Sequence, residues 1–333
     1  RIMTIEKPYL LFLGDAPDQL AAKTATGIAD WRPEWCVGQL RLPGCGADTG
    51  LKDVDVAEAI RLGAKTLVIG VVNSGGFMPD TWTDTICDAL AQGLDLASGL
   101  HGQLQDFPAI NEAALKHGRN LHDVRHSKQE FTTGKGQERT GKRLLTVGTD
   151  CSCGKKYTAL AIEKAMRARG MKADFCATGQ TGVLIAERGV AIDAVIADFI
   201  SGAAEWLSPD NDADHWDLIE GQGSLFHASY AGVSLGLMHG AQPDLLVLCH
   251  EPTRTHMRGL PHYPIPDLAD CIALNLANAR LTNPAVRMLG VSVNTSALSE
   301  TAAADYLAEI SAKLSFPCLD VMRGGADGFL DHL

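Results

Sequence analysis

Gly148-Thr149-Asp150-Cys151-Ser152-Cys153-Gly154-Lys155 carries the most specific chemical signal in this 333-residue chain. It follows an apolar run and opens a helical pattern, the setting of a phosphate-binding loop. In such a turn, backbone N–H groups converge on an oxyanion. Glycines let the chain approach the phosphate closely, and the Lys155 ammonium adds a point charge. The expected phosphate contacts are Gly148, Thr149, Cys153, Gly154, Lys155, Lys156, Tyr157 and Thr158.

The spacing is one residue longer than G-x-x-x-x-G-K. That longer form resembles the loop of dethiobiotin-synthetase-like P-loop proteins. A second departure bears on the chemistry. Lys156 stands where a Mg²⁺-binding hydroxyl would follow the lysine, and Thr158 lies two positions on. A second ammonium supplies charge where a metal would have supplied it. The loop therefore suits a polyphosphate held without Mg²⁺-driven hydrolysis, and no metal is expected to be required. Coenzyme A, with a pyrophosphate and a ribose phosphate, is such a ligand.

Three further strand-end segments could contribute. Asp217-Leu218-Ile219-Glu220-Gly221-Gln222-Gly223 closes an apolar strand on a carboxylate. In an ATPase such an acid organises Mg²⁺ or water; in a transferase it takes a proton from an amine. It could also simply cap the next helix. Glu220 is the expected general base, with Asp150 as second choice. Thr178-Gly179-Gln180-Thr181-Gly182 offers small residues and an amide, or a plain turn. Residues 251–266 concentrate Arg254, His256, Arg258 and His262 between prolines. Arginine pairs bidentately with carboxylates, so Arg254 and Arg258 are expected to hold an acidic substrate, the alternative being a solvated loop. Gln180 and Gln222 could face a developing oxyanion. In the first half, Asn73-Ser74 ends an apolar strand and could face a ligand.

Other chemistries are weaker. Cys151 and Cys153 lack the partner pair that a zinc site needs. A cysteine nucleophile at a helix start is conceivable, since that position lowers a thiol pKa. His227 and His256 lie near the motifs but read as surface or hydrogen-bonded core histidines. No G-x-S-x-G elbow is present, and no G-x-G-x-x-G follows the first strand.

These residues need a scaffold. Apolar runs at 9–13, 66–72 and 244–249, and apolar-rich segments at 143–147, 172–177, 216–219 and 287–293, read as strands of parallel sheets. Helical spacing covers 54–62, 79–92, 109–117, 154–169 and 299–314. Shorter strands are expected at 94–98 and 120–124. The alternation predicts an α/β fold: a Rossmann-like N-terminal domain, 1–142, and a P-loop NTPase-like C-terminal domain, 143–333. Between them the polar stretch 126–143 reads as a linker. Ligands of such sheets bind at the carboxyl ends of strands.

Composition narrows the classes. Lys+Arg 29 against Asp+Glu 40 gives a net charge of −11, which disfavours nucleic acid as a partner. No apolar run reaches the roughly 18 residues of a membrane span. Nine cysteines without framework spacing point to reduced thiols and a cytoplasmic setting. A homo-oligomer is expected, although an apolar helix face serves a core or a partner equally.

Taken in order, Ser98-Gly99-Leu100-His101, Asp123-Val124-Arg125, the 148–156 loop, Ala177 to Gly182, Glu220 to Leu225 and Arg258 to Pro266 form a set. Nearly the whole chain is similar to a bacterial two-domain family of D-glutamate N-acetyltransferases, the DgcN family, formerly a domain family of unknown function. The resemblance implies acetyl transfer from acetyl-CoA to the amine of D-glutamate. It also implies a functional link to a racemase acting on N-acetyl-glutamate. The phosphate loop of the family falls here on Gly148, Thr149, Asp150, Gly154, Lys155 and Lys156. The base and the preference for the D-isomer are not legible from the residues. The alternatives are an ATP-dependent ligase or carboxylating enzyme, and a nucleotide-binding regulator without chemistry.

Overall fold

The computed structural model describes residues 5–72, 78–126, 128–186 and 188–333. The chain divides into two compact units. One comprises 1–129 with 183–191, the other 130–182 with 192–333.

The first unit is built on five parallel strands: β1 (Tyr9–Gly14), β2 (Cys36–Arg41), β3 (Thr66–Ile69), β4 (Asp95–Ser98) and β5 (Leu121–Asp123). They stand in the order β2-β1-β3-β4-β5. Strand β1, flanked by β2 and β3, is buried along its whole length, as an apolar run in a doubly covered sheet should be. The helix Val56–Arg61 starts on Asp55, whose carboxylate accepts the Glu58 N–H at 2.7 Å. The helix Pro108–His117 ends on Gly118 at φ +62°.

The second unit contains β6 (Lys142–Gly148), β7 (Ala173–Ala177), β9 (Trp216–Ile219), β10 (Leu245–His250), β13 (Arg287–Val293) and β14 (Cys318–Leu319). The two-residue β8 (Arg188–Gly189) falls in the 183–191 stretch. A hairpin is made by β11 (His256–Met257) and β12 (Leu260–Pro264). The parallel order β14-β13-β10-β6-β9-β7 sets β6 between β10 and β9. Because all six strands run the same way, the turns after β6, β7, β9 and β10 leave one edge of the sheet. That edge receives every second-unit segment with chemical potential.

The segment 130–141 belongs to the second unit, whereas the boundary expected at 142 would place it with the first. Arg139 accounts for it. Its guanidinium donates to the carbonyls of Ser208 at 2.6 Å, Gly240 at 2.5 Å and Ala241 at 3.2 Å. The N–H groups of Lys135 and Gly136 both donate to Glu205, at 2.8 Å. At the opposite end of the sheet from the loops, buried Arg143 donates to Ser208 Oγ, which donates to Asp217. Asp217 is thus a structural acid, although it lies only three residues before Glu220, in the strand that leads to it. Among the described residues no helix is long and apolar enough to cross a membrane.

Candidate functional site

The turn after β6 begins at Gly148, and the helix Lys155–Ala168 begins at its end. Ser152 at φ +50° and Gly154 at φ +105° curl the chain so that consecutive peptide groups can face inward. No side chain caps the helix N-terminus. Its first-turn N–H groups therefore suit an oxyanion, as does the pair of ammonium groups beside them.

Inside the loop, the Lys155 Nζ donates to the Asp150 carbonyl at 2.8 Å and lies 3.6 Å from Cys153 Sγ. Lys155 is almost fully buried, so the loop carbonyl satisfies a charge that burial would otherwise penalise. Cys153 Sγ donates to the carbonyls of Asp150 and Cys249. Thr149 Oγ1 lies 3.0 Å from His250 Nδ1 on the neighbouring β10. Thr158 Oγ1 lies 2.7 Å from Ser292 Oγ in the core. The Lys156 ammonium stands 4.8 Å from the centre of the Tyr157 ring.

Glu220 ends the run of β9 and is buried. Its Oε2 accepts the N–H of Thr178 at 3.0 Å and of Gly179 at 3.1 Å. Burial raises its carboxyl above the usual range, opposed by Lys156, by those two N–H groups and by Lys155. A carboxylate tuned upward accepts a proton more readily near neutrality. Thr178, Gly179 and the first turn of the helix Gln180–Ile185 are shaped around it. A Cβ on Gly182 would stand 2.4 Å from Glu220 Oε2. Gln222 Nε2 donates to Thr178 Oγ1 at 3.1 Å, which brings the amide to the same turn. Gln180 opens the short helix Gln180–Ile185.

Asp150 is buried but has a different environment. Its Oδ2 accepts from Arg254 Nη1 at 2.8 Å and from the Arg258 N–H at 2.9 Å; its Oδ1 accepts the Cys151 N–H at 2.7 Å. Burial alone would raise the carboxyl, but these donors together hold it below the ordinary value. That makes it a weak proton acceptor. Arg254 is equally engaged. Nη1 also donates to the Cys151 carbonyl at 2.6 Å, Nη2 to Ser152 at 2.7 Å, and Nε lies 3.2 Å from Glu251. It laces the 251–264 segment to the phosphate loop.

The structure therefore brings Asp150, Lys155, Arg254 and Arg258 into one connected group. Glu220, Gln222 and Thr178 form a second, joined to the first by the lysines. Asn73 and Ser74 lie outside the described residues.

Two residues near the motifs gain weight. His227, read from sequence as a surface or core histidine, is buried and takes the Ser229 N–H on Nδ1. Nε2 then carries the proton and donates to the Arg258 carbonyl at 3.1 Å. Thr146 Oγ1 accepts the Gly221 N–H at 2.9 Å and fixes the turn that carries Glu220. Only position signals Thr146, a polar residue in an apolar strand.

Asp150, Cys151 and His227 have ligand atoms within 4.8 Å of one another. Asp150 accepts from an arginine and two N–H groups, and His227 Nε2 donates to the Arg258 carbonyl. Burial also raises the Cys151 thiol, countered by Lys155, which weakens it as a nucleophile.

Two family models cover most of the chain. Residues 130–330 match a domain of unknown function (DUF1611_C) described as a P-loop domain. Residues 41–127 match its N-terminal counterpart (DUF1611_N), described as Rossmann-like. A protein of Tritonibacter scottomollicae called D-glutamate N-acetyltransferase is 56 % identical over 99 % of both chains. One of the same name from a Pseudoalteromonas species is 53 % identical over 99 % of this chain and 100 % of its own. A crystal structure of a DUF1611 family protein from Anabaena variabilis matches with a TM-score of 0.86 at 34 % identity, covering 98 % of this chain and 99 % of that one.

Proposed function

The chain belongs to the DUF1611 family of Rossmann-like and P-loop domains, and from that premise we propose that it moves an acetyl group from acetyl-CoA to the amine of D-glutamate. The observation that carries the chemical reading is Glu220: a buried carboxylate, raised above its usual range, at the strand end beside the phosphate-loop lysines. The substrate comes from the names of the two relatives, both more than half identical over the full length.

When bound, acetyl-CoA supplies an acyl carbon activated as a thioester. The phosphate loop, with Lys155 and Lys156, holds the phosphate end by N–H groups and ammonium charge. Glu220 takes a proton from the ammonium form of the substrate and frees the lone pair for attack. One C–N bond forms and the thioester C–S bond breaks. The proton held on Glu220 passes to the departing sulfur, and the second proton, lost by the nitrogen as the amide forms, is taken up by the freed Glu220 carboxylate and released to solvent. Gln222 or Gln180 donates to the carbonyl oxygen as charge gathers on it. Lys156 at the position of a metal-binding hydroxyl, and Thr158 turned to Ser292, weigh against Mg²⁺-dependent ATP chemistry.

Acetyl-CoA labelled at the acetyl carbonyl tests the reading. The label should appear in N-acetylglutamate, as followed by mass spectrometry. Label found only in free acetate, or remaining in acetyl-CoA, contradicts it.

A further inference from the structure

We infer that Arg258 reads the far carboxylate of the acidic substrate, and that Asp150 and His227 are positioning residues that fix it. The inference rests on the acceptor proposed above and names which side chain selects it.

Arg258 occupies the turn of the β11–β12 hairpin, followed by Gly259 at φ +76°. Its peptide is held on both sides. The N–H donates to Asp150 Oδ2 at 2.9 Å, and the carbonyl accepts from His227 Nε2 at 3.1 Å. Both partners are buried, Asp150 at 0 % and His227 at 1 % exposure. Each is fixed in turn. Arg254 grips Asp150. His227 takes the Ser229 N–H and stacks on Tyr230 at 4.8 Å between ring centres. Buried Met257 anchors the strand just before the turn.

The Arg258 side chain contrasts with this pinned backbone. It is exposed, and among the described residues its guanidinium has no hydrogen bond or ion pair. Two buried polar side chains thus hold the main chain of an arginine whose charge is unused. Arg254, the other candidate, has all three nitrogens on its own protein. An unengaged guanidinium on a rigid backbone is pre-organised for bidentate binding to a carboxylate.

Depth decides which carboxylate. The reacting amine must reach buried Glu220, which draws the neighbouring carboxylate to the same depth. The far carboxylate, beyond the side-chain carbons, is left for the exposed cation.

Calorimetric titration of the full chain with D-glutamate and with D-glutamine separates these roles, since only the far carboxylate differs. Arg258→Ala should weaken D-glutamate binding about tenfold or more and leave D-glutamine within about twofold. Arg258→Lys should recover part of the loss. His227→Leu should shift the ratio of the two affinities in the same direction, and His227→Gln, which keeps a donor near Nε2, should restore it. Equal losses for both amino acids, or none, in Arg258→Ala overturn the inference; so does an unchanged ratio in His227→Leu with His227→Gln alike. Thiol release from acetyl-CoA is read in parallel on the unsubstituted chain. Selective binding without thiol release contradicts the transferase reading while supporting Arg258 as the selector.

Discussion

Lys155 and Glu220 are both buried beside the same loop, yet their surroundings assign them opposite tasks. Lys155 donates to a carbonyl of the loop that it would leave for a phosphate. Lys155→Ala should therefore raise the KM for acetyl-CoA about tenfold or more and change that for D-glutamate little; steady-state kinetics with each substrate varied decides it. An unchanged acetyl-CoA KM removes the cradle. Glu220 must lose its proton to act, and burial raises its pKa. The acid limb of the kcat profile should accordingly lie above the usual carboxylate range. Glu220→Gln should lower kcat by about 10²–10⁴ and abolish that limb. Retained kcat places the base elsewhere. His250 gives a stability test. Burial, the main cause, lowers its pKa from 6.5 to about 4, against the pull of Glu251. The unfolded chain then binds more protons than the folded one between those values. The contribution is complete above pH 6.5 and is lost as pH falls toward 4, by about 3 kcal/mol in total. Urea unfolding across that window should show a flatter pH dependence in His250→Asn. An undiminished slope assigns the acid sensitivity to other groups.

The elements that hold these residues depend on places where backbone meets backbone. A Cβ on Gly221 would stand 1.7 Å from the Thr146 carbonyl oxygen, so only glycine lets the Glu220 turn lie on β6. Gly232 lies in the helix Ala231–Ala241 with nothing within 4 Å of its Cβ position. Gly221→Ala should cost about 1–3 kcal/mol, and Gly232→Ala should gain about 0.5–1 kcal/mol, both measured by urea unfolding. Equal effects contradict the packing argument. The same physics explains what could be read beforehand. Strands β1, β6, β10 and β13 are mostly apolar and buried over nearly their whole length, and that pattern is legible. Strand β2 was not: its Cys-Val-Gly-Gln-Leu-Arg sequence breaks the run, and Gly38 is there because the Lys52 carbonyl would stand 2.6 Å from a Cβ. The 66–72 run shortens to Thr66–Ile69 because Gly70 abuts Ala25. Likewise, Glu220 and the phosphate loop announce themselves by spacing. The engagement of Arg254 with Asp150, 104 positions away in sequence, is set by the hairpin fold and leaves no local trace.

At the scale of the molecule, two parallel sheets are joined through a polar stretch whose composition reads as a linker. From Glu130 on it is instead tied to the second unit by Arg139 and Glu205. Polar composition cannot distinguish a free linker from a strap whose charges meet carbonyls of the next domain. A fragment of residues 130–333 should therefore unfold at a higher urea concentration than one of 143–333; equal midpoints contradict the strap. The net charge of −11 coexists with the local cations of the phosphate loop and hairpin, so an acidic protein can still present anion sites at one sheet edge.

The central claim is acetyl transfer to D-glutamate without ATP. The most direct measurement is thiol release from acetyl-CoA with D-glutamate, L-glutamate or no amine, in the absence of ATP and Mg²⁺. The account predicts release that depends on D-glutamate. No release, together with ATP hydrolysis stimulated by the amine once Mg-ATP is added, contradicts it and makes the loop a nucleotide site.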